Sequence, residues 1–354
     1  MEVTLYRKYR PKSFKDVKGQ EDVTRTLRGA LLSGQVGHAY LFCGPRGTGK
    51  TTIARLFAKA LNCEKRHENT FEPCNVCDSC VAINEGRSLD LIEIDAASNR
   101  GIDEIRNIKE SASVASSSST YKVFIIDEVH MLTPPAFNAL LKILEEPPTH
   151  VIFILATTEA HKIIGTVLSR VQRLDLKKIL PSEIGEKLQD IAKKEGVSID
   201  EEAIFNLAAY AGGSLRDAES AFTKLISFAG KKITGDDAAQ ILGIVPSHFH
   251  SQFLQSIIGN NPQEAITQIN NLYESGADLE NFTKQFIAHV RLLLISSVSN
   301  TRPESIEIKP EALVKILNTF IGVKNELKVS PIPQLPIELA IMELTSQSPD
   351  GGKK

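Results

Sequence analysis

Residues Gly44-Pro45-Arg46-Gly47-Thr48-Gly49-Lys50-Thr51 fit the phosphate-binding pattern G-x-x-x-x-G-K-[ST]. Glycines let such a loop curl so that its N–H groups point inward, and the start of a following helix adds positive potential. Lys50 is then expected to reach the β- and γ-phosphates of a nucleoside triphosphate, and the Thr51 hydroxyl to ligate Mg²⁺. The flanks agree: the apolar run Ala39–Cys43 precedes the loop, and a helical pattern opens at Thr52, which is expected with Gly44–Thr51 to contact the nucleotide. A second acidic group ends the apolar run Lys122–Ile126, where Asp127 and Glu128 stand side by side. Acids at the C-terminal end of a buried parallel strand lie where open α/β sheets bind ligands. Asp127 would hold Mg²⁺ through water, and Glu128 would polarise the attacking water as general base.

Four of the five cysteines, Cys63, Cys74, Cys77 and Cys80, are spaced C-x10-C-x2-C-x2-C. One short loop with a turn can wrap four such thiolates around Zn²⁺. Unpaired thiols, a disulfide pair and an iron–sulfur cluster are the competing readings. His67 lies inside the loop, but four sulfurs already complete a closed, structural shell. Cys43, inside the strand before the phosphate loop, reads as a small buried apolar residue. His130, just after the acidic pair, reads as a structural hydrogen-bonder.

These groups need a frame. Between residues 38 and 178, strand-like runs alternate with helical patterns, which predicts a parallel sheet covered on both faces. The expected strands are Ala39–Cys43, Leu89–Ile94, Lys122–Ile126, Val151–Ala156 and Val171–Leu176. The helix Ala136–Glu146 carries a core stripe of Phe137, Leu140, Leu141 and Leu144. The Ser-rich run Ser111–Thr120 reads as a flexible connection. After Leu180-Pro181 the strands stop, and only helical patterns follow. The expected organisation is a nucleotide domain over 1–178 with a zinc module at 62–82, and a helical lid over 179–242. A helical domain over 243–345 and a disordered tail at 346–354 complete it. The chain of 354 residues is 42% hydrophobic and 24% charged, with a formal net charge of −2. That balance argues against coating nucleic acid by bulk attraction, while leaving room for a local basic surface. No apolar stretch reaches the length of a membrane span and the first residues lack a signal-peptide core, so cytoplasmic residence is expected.

Tyr6-Arg7-Lys8-Tyr9-Arg10-Pro11, the phosphate loop, the cysteine insert and Asp127-Glu128-Val129-His130 together resemble the gamma/tau subunit family of the bacterial DNA polymerase III clamp loader. The resemblance runs end to end through the three expected domains, and the cysteine insert is its most discriminating part. It implies an AAA+ P-loop ATPase whose last helical domain, 243–345, is an oligomerisation collar. It further implies that Thr158 is the polar sensor of the γ-phosphate, and that Arg10-Pro11 and Val17 through Gln20 belong to the segment wrapping adenine and ribose. Arg170, in Ser169-Arg170, would enter a neighbouring subunit's ATP site, although Val171 stands where the family usually has cysteine. Arg216 would be the lid arginine contacting ATP. Independently, Ser214 and Asp217 fit a capping box, which puts Arg216 in the first turn of a helix. Arg106, Lys142 and Lys162 match basic positions of the family's DNA-facing surface, while Asn99 and Gly101 stand where some relatives are basic.

The implied partners are delta and delta-prime subunits, further copies of the chain, the sliding clamp and the backbone of primer–template DNA. The longer tau form carries further C-terminal segments that bind the polymerase core and the helicase, and this chain ends before them. ATP binding would let the assembly open the clamp, and DNA would trigger hydrolysis and release. The runner-up is another AAA+ DNA-remodelling ATPase of helicase or branch-migration type, which would carry a hairpin in place of the cysteine insert. A non-hydrolysing scaffold would lack Lys50 or Glu128.

Overall fold

The computed structural model describes residues 4–66, 70–298 and 308–345, so His67 and the expected tail at 346–354 lie outside the described residues. The chain divides into two compact units, Met1–Ile199 with Leu207–Lys232, and Asp200–Asn206 with Ile233–Lys354.

The first unit is built on a sheet of β1 (Ala39–Cys43), β2 (Leu91–Asp95), β3 (Lys122–Asp127), β4 (Val151–Thr157) and β5 (Gln172–Asp175), in the order β2-β3-β4-β1-β5. Every pairing is parallel. Its helices are α1 (Leu5–Lys8), α2 (Glu21–Ser33), α3 (Lys50–Leu61), α4 (Asp78–Glu85), α5 (Ile102–Ser113), α6 (Pro134–Glu145), α7 (Gly165–Leu168) and α8 (Pro181–Glu195). Next come α9 (Glu201–Ala211), whose first turns belong to the second unit, and α10 (Leu215–Ala229). Successive residues of a strand point to opposite faces, so a strand covered on both sides must be apolar throughout. Leu41, Phe124, Ile126, Phe153 and Leu155 pack with Ile105, Ile108, Leu140 and Leu144 on one face. Tyr40, Phe42, Val123, Ile125, Ile152 and Ile154 pack with Leu27, Ile53 and Phe57 on the other.

β3 and β4 each run one residue beyond the sequence reading, and two other strands depart from it further at their edges. β2 begins at Leu91, because Leu89 is 76% exposed and precedes the ladder. β5 is shorter than Val171–Leu176, and as the last strand of the sheet it buries only Leu174. The Ser-rich run is tethered where a loose connection is expected. Buried Asp90 accepts the N–H groups of Ser117, Ser118 and Ser119 at 2.7, 3.0 and 3.0 Å, and Lys122 Nζ donates to the Ser111 carbonyl at 2.7 Å. Polar groups competing for one buried carboxylate fix a loop that composition alone reads as free. Helix α6 opens on Pro134-Pro135, where the missing proline N–H costs nothing.

The second unit continues with α11 (Gly235–Leu242), α12 (Ser247–Ile258), α13 (Pro262–Glu274), α14 (Leu279–Val298), α15 (Pro310–Glu326) and α16 (Leu335–Thr345). It is centred on Phe253, Phe282, Phe286 and Phe320, with Phe286 and Phe320 meeting edge to face at 4.7 Å. Among the described residues, no helix is long and apolar enough to cross a membrane.

Candidate functional site

The phosphate loop leaves β1 at Gly44, whose N–H donates to the Thr157 carbonyl of β4 at 3.2 Å. Thr48 Oγ1 donates to the Pro45 carbonyl at 2.9 Å and closes the curl. Lys50 folds back, donating from Nζ to the carbonyls of Gly44 and Pro45 at 2.8 and 2.9 Å. Burial lowers the pKa of this ammonium, while Glu128 and Asp127 oppose that effect. An anion at the loop would therefore find a cation already positioned and partly desolvated.

The sheet brings the acids to the loop. Thr51 Oγ1 donates to Asp127 Oδ2 at 2.7 Å, joining residues from α3 and β3. The β2–β3 register sets Asp95 beside Asp127 at the same sheet edge. Glu128 sits at φ 48°, a left-handed conformation rare outside glycine, asparagine and aspartate and often found at functional sites. Its Oε2 accepts the hydroxyl and the N–H of Thr158 at 2.9 and 3.2 Å. Thr158 thus grips the Glu128 carboxylate. His130 fills its expected hydrogen-bonding place: Nδ1 lies 2.9 Å from Thr157 Oγ1, and the ring stands between Glu128 and Glu159.

A cavity of about 650 Å³ opens over these groups. Of the sequence-predicted nucleotide contacts, Arg10, Pro11, Val17, Arg46, Gly47, Thr48, Gly49, Lys50, Thr51, Thr52 and Arg216 line it, with Asp127 and Glu128. Gly44 and Pro45 form the back of the loop and are not part of the wall. Gln20 secures the entry, its amide donating to the carbonyls of Thr48 and Lys177 and accepting the Lys177 N–H. Helix α10 meets the loop directly: the Leu215 N–H donates to the Gly47 carbonyl at 3.1 Å. Gly47 is at φ 75°, and a Cβ there would lie 1.9 Å from Ser214 Oγ. An open position of the motif is therefore restricted to glycine by the approaching helix. Ser214 Oγ caps α10 by accepting the Asp217 N–H at 3.2 Å, one half of the expected capping box, and the Ser214 N–H goes instead to the Ala211 carbonyl. Arg216 faces the cavity with its guanidinium 5.1 Å from the centre of the Tyr6 ring.

Arg170 is elsewhere. It pairs with Glu145 at 2.8 Å, donates to the Thr166 carbonyl, and takes no part in the cavity wall. Of the candidate DNA contacts, exposed Arg106 on α5 pairs with Asp103, and Lys162 pairs with Glu159. Lys142 is exposed on α6, which packs against α5. Asp95, Lys187 and Glu219 also line the cavity without having been singled out from sequence, as does Tyr6, which the sequence marked only as part of the Tyr6–Pro11 motif. Glu219 left a readable trace, an acid among the apolar positions Leu215, Ala218, Phe222 and Leu225 of one helix. Asp95 and Lys187 belong to no local pattern.

The four insert cysteines converge, with all sulfurs within 4.8 Å of one another and Cys74 Sγ 3.9 Å from Cys80 Sγ. A tetrahedron with Zn–S of about 2.3 Å has an edge of about 3.8 Å. Backbone N–H groups aim at three of the sulfurs: Cys74 to Cys63, Val76 and Cys77 to Cys74, and Cys80 to Cys77, at 3.3–3.5 Å. Against the desolvation that would raise it, the N–H groups of Val76 and Cys77 bring the Cys74 thiol down to about 6. No disulfide forms among the described residues. A closed set of four converging cysteine sulfurs fits structural zinc. Lys59, 2% exposed at the far end of α3, ties this insert in by donating to Asn75, Asn84 and the Lys12 carbonyl at 2.7, 2.8 and 2.8 Å.

A phosphate loop after a buried strand, an acidic pair on a neighbouring strand and a helix capping the loop define a P-loop nucleotide-binding protein with a helical lid. Residues 19–180 match the family described as DNA polymerase III, delta subunit, and residues 183–230 match the DNA polymerase III clamp loader subunit, ATPase lid domain. DNA polymerase III subunit tau of Bacillus subtilis is 42% identical, over 97% of this chain and 63% of that protein. The gamma/tau subunit of Mycobacterium tuberculosis is 39% identical, over 87% of this chain and 54% of that protein. Subunit tau of Escherichia coli is 35% identical, over 98% and 55%. The chain belongs to the gamma/tau family of DNA polymerase III clamp-loader subunits, and spans between 54% and 63% of the length of these relatives. Among solved structures, Thermotoga maritima RuvB is similar at a TM-score of 0.49 and 20% identity, over 70% of this chain and 79% of its own, a likeness too slight to bear on function.

Proposed function

We propose that the chain is an AAA+ ATPase subunit of a clamp loader, in which ATP binding and DNA-triggered hydrolysis open a sliding clamp and release it onto primer–template DNA. The observation that carries this reading is the meeting of Thr51, Asp127 and Glu128 at the phosphate loop, in a chain of the gamma/tau family. Lys50 and the loop N–H groups would hold the β- and γ-phosphates, with Arg216 reaching them from the lid. Glu128, oriented by Thr158, would take the proton of the attacking water, and Thr158 would carry the state of the γ-phosphate to it. Thr51 and Asp127 would hold Mg²⁺, which when bound neutralises charge on the phosphates. Cys63, Cys74, Cys77 and Cys80 would hold a structural Zn²⁺.

Arg170 would act on a neighbouring copy's nucleotide, which accords with its absence from its own cavity wall. The segment 179–242 would be the lid and 243–345 the collar joining delta, delta-prime and further copies. Arg106, Lys142 and Lys162 would meet DNA phosphates after exchanging their present acidic partners where they have them. Residence would be cytoplasmic, at the replisome, with the polymerase core and helicase as more distant partners.

The test uses the reconstituted assembly. Lys50→Ala should lose nucleotide binding, whereas Arg170→Ala should keep it and lose DNA-stimulated turnover by about a thousandfold. Normal turnover in either variant would refute the mechanism.

A further inference from the structure

One buried acid stands in the nucleotide cavity without a task. Glu219 is 6% exposed and lines the cavity, yet its carboxyl makes no hydrogen bond or ion pair with any of the described residues. It interrupts the apolar stripe of α10, where a leucine would pack without cost. Its place follows from the start of that helix. Leu215 is bonded to Gly47, and a Cβ on Gly47 would lie 3.3 Å from Arg216 Cβ, so the first turn of α10 sits on the phosphate loop. Glu219 comes three residues after Arg216, about 4.5 Å farther along the axis. The charges acting on it are Lys187 from α8 and Arg10 from the N-terminal segment. Tyr6 and Arg7 of α1, Asp16 and Lys18 of the N-terminal segment and Arg216 of its own helix are further ionisable groups lining the cavity. Lys50, by contrast, senses Glu128 and Asp127. The acid therefore faces the nucleoside end of the cavity.

We propose that Glu219 reads the base of the bound nucleoside triphosphate, its carboxyl group pairing with the N1 and N6 edge of adenine. This rests on the reading of the cavity as an ATP site. Adenine offers an acceptor at N1 beside a donor at N6, which a protonated carboxyl matches by donating its O–H and accepting through its carbonyl. Guanine offers two donors at N1 and N2, which suit the ionised carboxylate. The ribose hydroxyls likewise offer donors and call for the ionised form. Burial raises the Glu219 pKa to about 7, against the opposing charges of Lys187 and Arg10, so the protonated form is populated at and below neutrality.

The experiment measures dissociation constants of the full chain for ATP, GTP and 3′-deoxy-ATP by competition with a fluorescent nucleotide, near pH 6 and near pH 8.5. The preference of the unsubstituted chain for ATP over GTP should fall about tenfold between the two conditions. Glu219→Gln, whose carboxamide keeps one donor beside one acceptor, should hold the low-pH preference at both. Glu219→Leu, which restores the apolar stripe and can be checked by thermal unfolding, should lose about tenfold of the preference near pH 6 and all its pH dependence. An unchanged ATP-to-GTP ratio in Glu219→Leu, or Glu219→Gln as pH-dependent as the parent, would overturn the proposal. So would Glu219→Leu losing discrimination against 3′-deoxy-ATP alone, which assigns the acid to ribose. If the unsubstituted chain binds no triphosphate, the ATP reading itself fails. If it binds ATP with ratios unmoved by substitution, only the base reading fails.

Discussion

Glu219 ties the chemistry of the cavity to the stability of the fold. Its carboxyl rises from 4.5 to about 7 on folding because burial disfavours the charge. The folded state therefore binds the proton more tightly than the unfolded chain does. The resulting stabilisation is fully present below about pH 4.5 and is lost as pH rises through about 7, at a cost of about 3 kcal/mol. Urea unfolding should show the stability of the parent falling relative to Glu219→Leu by about that amount between about pH 4 and pH 8. A constant difference would mean that the acid ionises freely in the cavity. Glu219 shows in the sequence as an acid within an apolar stripe, but its place in the cavity does not. Lys50, Thr51, Asp127 and Glu128 announce themselves because their spacing is local and their chemistry requires it. Asp95 and Lys187 reach the same cavity from distant segments, with no motif to mark them.

Element by element, sequence reading succeeds where periodicity is continuous and fails where a neighbour decides. The apolar strands β1, β3 and β4 lie close to their expected positions because burial on both faces leaves no ambiguity. The edges of β2 and β5 move because solvent, not the core, covers their ends. Gly47 is an open position in the phosphate motif, yet its left-handed backbone and the arrival of α10 together bar a side chain there. The cysteine insert is legible from its spacing, but the N–H groups that favour its thiolates are not. Metal analysis of chain purified without chelator should find one zinc, and Cys74→Ser should lower that content and leave the insert more open to proteolysis. Full zinc retention in Cys74→Ser would remove Cys74 from the ligand set.

Across the whole molecule, the proposed site is divided between chains. Lys50 and Arg170 would serve different nucleotides, so each single variant disables one side of a shared site. Copies carrying Lys50→Ala mixed with copies carrying Arg170→Ala should regain part of the DNA-stimulated turnover that neither has alone. Their junctions can bring an intact phosphate loop to an intact arginine. No recovery on mixing would argue that both residues act within one chain. The C-terminal helices are legible as helices from their apolar repeats, and their proposed collar role rests on family membership. Helix α3 carries a different lesson. Its first residue belongs to the phosphate loop, and Lys59 near its last turn clasps the cysteine insert and the N-terminal arm. Adding one residue between them would swing Lys59 about 100° around the axis, away from Asn75 and Asn84. The spacing between loop and insert is thus a fixed gauge, and insertions or deletions should be barred from α3 even at positions that touch neither phosphate nor metal.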